Sequence, residues 1–169
     1  IMGNQDYNWT SFTVRINVKS STETLYKAWA TRAGIEHWFL RLSEYKQKSG
    51  TPRKSDEFVT TGDTYRWLWY GYPDTVVEEG TIIDCNDKDR FKFSFGKAGN
   101  CTVTIKEQEG EKIVELVQDN IPDDEAGKHN WHIGCKTGWT FYLANLKSML
   151  EGGIDLRNKN EKIQKVVNA

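Results

Sequence analysis

The feature that most constrains this chain is a change of hydrophobic period near its C-terminal end. Over residues 131–150, Trp131, Cys135, Trp139, Tyr142, Leu143, Leu146, Met149 and Leu150 fall on one side of a helical wheel. Lys136, Thr140, Asn145, Lys147 and Ser148 fall off that side or at its edges, and Phe141 is the one large misfit. This is a wide apolar stripe at the 3.6-residue period of a helix. Upstream, almost everything alternates with period two. One long helix after a run of strands implies a sheet with a single helix laid on it. The stripe is rich in aromatic rings, so helix and sheet either close a solid core or enclose a cavity.

The strands and turns can be read in order. Phe12, Val14, Ile16 and Val18 alternate with Thr13, Arg15, Asn17 and Lys19, a half-buried first strand. Ser20 with Glu23 three residues on has capping-box spacing, and Glu23 suits the first turn of a helix dipole. Leu25, Tyr26, Ala28 and Trp29 then give a short amphipathic helix. Gly34 is expected to break it, with Ile35, Trp38 and Phe39 in a second short helix. Residues 46–56 are polar and read as a solvated loop. A short strand is expected over 57–61, and further strands over 64–70, 75–85, 90–95, 101–107 and 112–118. The intervening turn residues, such as Gly71-Tyr72-Pro73-Asp74 and Glu109-Gly110-Glu111, make neighbouring strands antiparallel. A first strand cut off from the rest must pair with an edge of the later meander. The predicted fold is therefore α+β, a helix-grip: a curved antiparallel sheet around one long C-terminal helix, with two short helices after the first strand. One domain is expected over residues 4–158, with 159–169 as a tail. Ile1 ahead of Met2 reads as a remnant of cloning, and residues 1–3 are left out of the fold.

Composition removes several function classes. The 169 residues carry a net charge of −1, which gives no bulk attraction to nucleic acid or anionic lipid. No apolar run is long enough to span a bilayer, so neither nucleic acid nor membrane is an expected partner. Cys85, Cys101 and Cys135 are odd in number and scattered, which argues against a disulfide framework and fits a reducing cytoplasm.

Several motifs together resemble a known superfamily. They are Phe12–Val18 followed by 22–30, Glu36-His37-Trp38-Phe39, and Gly62-Asp63-Thr64-Tyr65-Arg66. They continue with Gly80-Thr81-Ile82 before Arg90-Phe91, Gly138-Trp139 opening a Leu-rich helix, and Glu151-Gly152-Gly153-Ile154-Asp155-Leu156-Arg157. Over about residues 9–158 the chain resembles the START-like (SRPBCC, birch-pollen-allergen-like) superfamily. Within it, the chain is similar to the branch named for the activator of the 90-kDa heat-shock chaperone's ATPase. The resemblance implies the helix-grip fold and, in many members, a hydrophobic cavity between helix and sheet. It also implies a stress-response role through a chaperone as a second class of partner. Members carrying that role usually have an extra N-terminal domain, which is not expected in this sequence. Cyclase- and hydrolase-like members make an enzyme a third reading.

The candidate site follows from the aromatic content of seven Trp, seven Tyr and seven Phe. A pocket lined by Trp38, Trp67, Phe93, Trp139, Tyr142 and Leu146 would hold a small apolar or aromatic molecule. The alternative is a close-packed core made of the same residues. His129, His132 and Cys135 have a spacing that can gather zinc ligands, but no fourth ligand is evident, so no metal or cofactor is expected. No catalytic residue is assigned. Glu36 and His37 point apart on a helix, and no nucleophile elbow or phosphate loop is present. Glu115 reads as solvent-facing, and Glu78 and Glu79 must face opposite sides of their strand.

Overall fold

The computed structural model describes residues 6–167. Residues 1–3, set aside above, lie outside that range. Strands β1 (Phe12–Val18), β2 (Leu42–Lys46), β3 (Thr64–Leu68), β4 (Val77–Cys85), β5 (Arg90–Ser94), β6 (Asn100–Gln108) and β7 (Glu111–Asp119) form one sheet. Helices α1 (Thr22–Ala30) and α2 (Arg32–Trp38) follow β1, and α3 (Gly134–Leu150) ends the ordered core. The sheet order is β1-β7-β6-β5-β4-β3-β2, antiparallel throughout. The isolated first strand closes one edge on β7, with Phe12 opposite Gln118 and Val18 opposite Lys112. This is the helix-grip expected from the change of period.

Alternation decides which face each side chain takes. Tyr65, Trp67, Ile82, Phe91, Phe93, Val103, Val114 and Leu116 lie on the inner face beneath the helices, and all are nearly sealed from solvent. Glu115 faces outward between Ile113 and Val117, and pairs with Arg15 and Lys106 at 3.1 and 2.8 Å. Gly80 lies on the inner face because a Cβ there would come within 2.6 Å of both the Tyr65 hydroxyl and Ser94 Oγ.

Local details depart from the sequence reading in several places. Ser21, not Ser20, caps α1, accepting from the Thr24 N–H at 3.1 Å. Ser20 is held in the turn that leaves β1, its N–H bonded to the Val18 carbonyl at 3.0 Å, so the helix starts one residue later. Glu23 pairs with Lys27 instead of the cap. The break between α1 and α2 falls at Thr31, which is extended and caps α2 by accepting from the Gly34 N–H at 3.0 Å. Gly34 lies inside α2. Its missing side chain is required by packing, since a Cβ would sit 1.9 Å from the Lys27 carbonyl oxygen. β2 was not anticipated. Its Ser43 is fully buried, so its pattern does not read as apolar alternation. Residues 57–61 form no strand, only a single bridge from Phe58 to Thr31. β3 stops at Leu68 and β4 starts at Val77, so residues 69–76 form a longer connection than predicted.

α3 is entered through a π-helical turn, Gly127–Ile133, that carries Trp131. Its inner side packs Trp139 against Trp29 and Phe93, with ring centroids 5.9 and 6.2 Å apart. Trp29 and Trp38 meet edge to face at 4.6 Å. Burying rings of this size stabilises the fold by about 1.5–3 kcal/mol each. Asn145 was placed at the edge of the stripe, yet it is completely buried. Its amide donates to the Trp38 carbonyl at 2.7 Å, and its oxygen accepts from the Leu156 N–H at 2.8 Å. The segment after α3 thus returns over the end of α2. There Arg157 donates to the carbonyls of Glu36, His37 and Leu40 and forks onto Asp155. Among the described residues no helix is long and apolar enough to cross a membrane.

Candidate ligand cleft

A cleft of about 260 Å³ opens where the sheet and α3 diverge at one end. Three of the wall rings stand where a regular element has just stopped. Phe39 caps the end of α2. Trp69 follows the last residue of β3, and Phe95 follows the last residue of β5. Tyr72 and Val76 come from the connection between β3 and β4, while Trp139 and Tyr142 project from one side of α3. Gly138 and Cys135, a turn apart on α3, complete the lining. A Cβ on Gly138 would meet nothing within 4 Å, so the helix backbone is open to the cleft there.

The rings are held at several angles. Phe39 stands 4.8 Å from Tyr142 at 77° and 4.9 Å from Trp139 at 37°. Phe95 lies 5.7 Å from Trp139 at 43°. The Trp139 indole is fixed from behind, its N–H donating to Gln118 Oε1 at 2.9 Å. Gln118 is itself fully buried, and its amide donates to the Ala98 carbonyl at 2.9 Å. The buried Cys101 thiol reaches the same Gln118 oxygen at 3.4 Å. This polar knot fixes one indole face toward the opening.

The phenol and thiol groups that line the cleft are kept neutral. Burial raises the Tyr142 and Tyr72 phenols above their ordinary values. Burial also raises the Cys135 thiol, and the Glu78 charge adds to that shift. Neither a thiolate nor a phenolate is therefore available at neutral pH. The geometry suits retention of a small molecule by shape and apolar contact.

Of the residues proposed from sequence, Trp139 and Tyr142 line this cleft. Trp38, Trp67, Phe93 and Leu146 lie in the layer beneath it, each fully sealed. Their polar tips are used internally: the Trp38 N–H donates to the Ala28 carbonyl at 2.8 Å, and the Trp67 N–H to the Tyr45 hydroxyl at 3.1 Å. Phe39, Trp69, Tyr72 and Phe95 were missed. The signal available for them was their position, each at the point where an apolar pattern gives out beside a turn. His132 and Cys135 diverge. His132 is buried against Tyr7 and Trp9, with Nε2 2.6 Å from the Tyr7 hydroxyl and Nδ1 2.9 Å from the Trp9 carbonyl, while Cys135 faces the cleft. Among the described residues no group of three His, Cys, Asp or Glu side chains is arranged to hold a metal ion. A second, wider groove of about 610 Å³ lies on the other side of α3, between Tyr7, Trp9, Ile133 and Phe141.

The curved sheet gripping one long helix, with an apolar opening between them, defines a START-like protein. Residues 19–151 match the family described as Activator of Hsp90 ATPase homolog 1-like protein, and the chain belongs to that family. Among solved structures, protein SSP2350 from Staphylococcus saprophyticus is similar, with a TM-score of 0.66 at 21% identity over 87% of this chain and 96% of that one. The Aha1 dimer from Colwellia psychrerythraea gives a TM-score of 0.65 at 16% identity, over 85% of this chain and 97% of that one. DynU16, from the dynemicin biosynthetic locus, gives 0.63 at 19% identity over 89% of this chain and 50% of that one. These likenesses establish the fold. No curated protein matches the chain.

Proposed function

We propose that the protein binds a small apolar or aromatic molecule in the cleft beside Trp139, without chemical turnover, in the reducing interior of the cell. The observation that carries this reading is an apolar, ring-walled opening directly above a layer of side chains sealed from solvent. An apolar opening left unfilled forgoes dispersion contacts that a guest can restore. Apolar probes are expected to bind with about micromolar affinity, on the order of −8 kcal/mol. Native mass spectrometry across a lipid and aromatic panel supplies the test, with Gly138→Leu as the blocking variant. The leucine Cβ would meet no other atom within 4 Å, and the rest of the side chain would project toward the opening. Adducts on the parent protein that vanish in Gly138→Leu support the reading; a panel that yields none refutes it.

A second reading is a regulator or interaction module acting on a chaperone ATPase. The family match and the apolar groove outside α3 support it. Co-precipitation with the purified 90-kDa chaperone, abolished by Ile133→Asp and Phe141→Asp together, would favour it over the carrier reading.

A further inference from the structure

We propose that the cleft selects an organic cation, a small aromatic or alkyl ammonium compound, with the Glu78 side chain as its counter-charge. This rests on the reading of the cleft as a binding site and names the chemistry of its guest.

The first observation is the composition of the wall. Six of its nine residues are Phe39, Trp69, Tyr72, Phe95, Trp139 and Tyr142, and no lysine, arginine or histidine is among them. Aromatic ring faces carry negative electrostatic potential and attract ammonium groups, most strongly where water is excluded. Rings set at 37°, 43° and 77° to their neighbours present faces in several directions, as a cage around a compact cation requires.

The second observation is independent of the rings. Glu78 pairs across the ladder with Trp67, so its side chain is on the concave face, whereas Glu79 faces out toward Arg66. Glu78 stands two residues beyond Val76, which lines the cleft, at the start of β4. Its carboxylate lies against Gly96, the residue after the lining ring of Phe95, and a Cβ there would come 2.5 Å from Glu78 Oε1. Among the described residues it forms no ion pair or hydrogen bond, although burial and the neighbouring Glu79 disfavour its ionised form. A half-buried carboxylate on the concave face of a sheet is costly unless something compensates it. Arg157 is already committed to Asp155 and three backbone carbonyls. A positive charge entering the aromatic cleft on the Phe95 side would supply the missing partner.

The test uses an isosteric pair, benzyltrimethylammonium and neopentylbenzene, which differ only in nitrogen for carbon and in charge. Each is titrated into the full chain while the indole N–H resonances of Trp69 and Trp139 are followed. The cation should bind about tenfold more tightly than its neutral isostere. Glu78→Gln, which breaks no hydrogen bond of the folded protein, should erase that preference and leave the neutral compound's affinity unchanged. Equal affinities in the parent protein, or a preference that survives Glu78→Gln, overturn the cation inference while the cleft reading stands. If neither compound moves the indole signals, the cation inference falls, and the lipid and aromatic panel decides the cleft reading.

Discussion

Replacing Asn145 with alanine isolates the contacts that tie the C-terminal segment to the end of α2. The side chain makes three hydrogen bonds, to the Trp38 carbonyl at 2.7 Å, the Leu156 N–H at 2.8 Å and Asp155 Oδ1 at 3.1 Å. It has no exposed surface, so water cannot replace it without rearrangement. A net hydrogen bond is worth about 1 kcal/mol, and an orphaned buried backbone group adds a desolvation penalty of its own, which puts the loss at roughly 3 kcal/mol or somewhat more. For a domain of this size that corresponds to a fall in Tm of about 6–12 °C. Urea unfolding followed by both Trp fluorescence and circular dichroism would measure it, with coincident transitions as the check on two-state behaviour. Arg157→Lys supplies the second arm. One ammonium cannot serve three carbonyls and a carboxylate at once. Because both residues grip Asp155, the double variant should show a coupling energy of about 0.5–3 kcal/mol. A loss below about 1 kcal/mol for Asn145→Ala, or strict additivity with Arg157→Lys, would refute the idea that these contacts act as one clamp.

Gly80→Ala should destabilise by about 1–3 kcal/mol, because the new methyl must displace the Tyr65 hydroxyl or Ser94; equilibrium unfolding reads this directly. Gly138→Leu should leave stability unchanged or slightly raised while abolishing probe binding, since glycine in a helix interior costs about 1 kcal/mol relative to good helix formers. Asp155 gives a pH signature. Burial opposes its ionisation, but hydrogen bonds from Arg157, that residue's charge and Lys159 outweigh this and hold its carboxyl well below the ordinary range. The unfolded chain therefore binds the proton more readily, so this contribution is complete above about pH 4 and is lost as the pH falls further. Asp155→Asn should be less stable at neutral pH and show a flatter decline between about pH 4 and pH 2, measured as Tm against pH.

The sequence carried the architecture wherever burial was one-sided. β1, the β4–β7 meander and α3 each have one wet face, so their periods of two and 3.6 are visible in the residues themselves. β2 escaped because its inward positions are Ser43 and Tyr45, and Ser43 is satisfied by Glu36 through bonds that alternation does not signal. Gly34 misled because a glycine demanded by close packing looks the same as one that ends a helix. Asn145 misled because a buried amide with three partners resembles a surface residue when only hydropathy is read. The cleft was half legible. Trp139 and Tyr142 stand on the helical stripe, but Phe39, Trp69, Tyr72 and Phe95 enter from termini and turns, where no period operates. Whether aromatic residues fill a space or frame one depends on where the sheet and α3 part company, a three-dimensional property that the stripe alone does not encode.

The borders of the shared family region have a practical consequence. The match spans residues 19–151, yet β1 ends at Val18 and the Asp155–Arg157 clamp lies beyond its other limit. A gene fragment trimmed to the matched stretch would strip the flank of β7 bare, leaving a row of unpaired amides that invites chain-to-chain stacking. It would also remove the guanidinium that quenches the last carbonyls of α2. The cooperative unit of this protein is thus longer at both ends than its signature, and deletion series or fusion designs should take their cut sites from the hydrogen-bonding pattern.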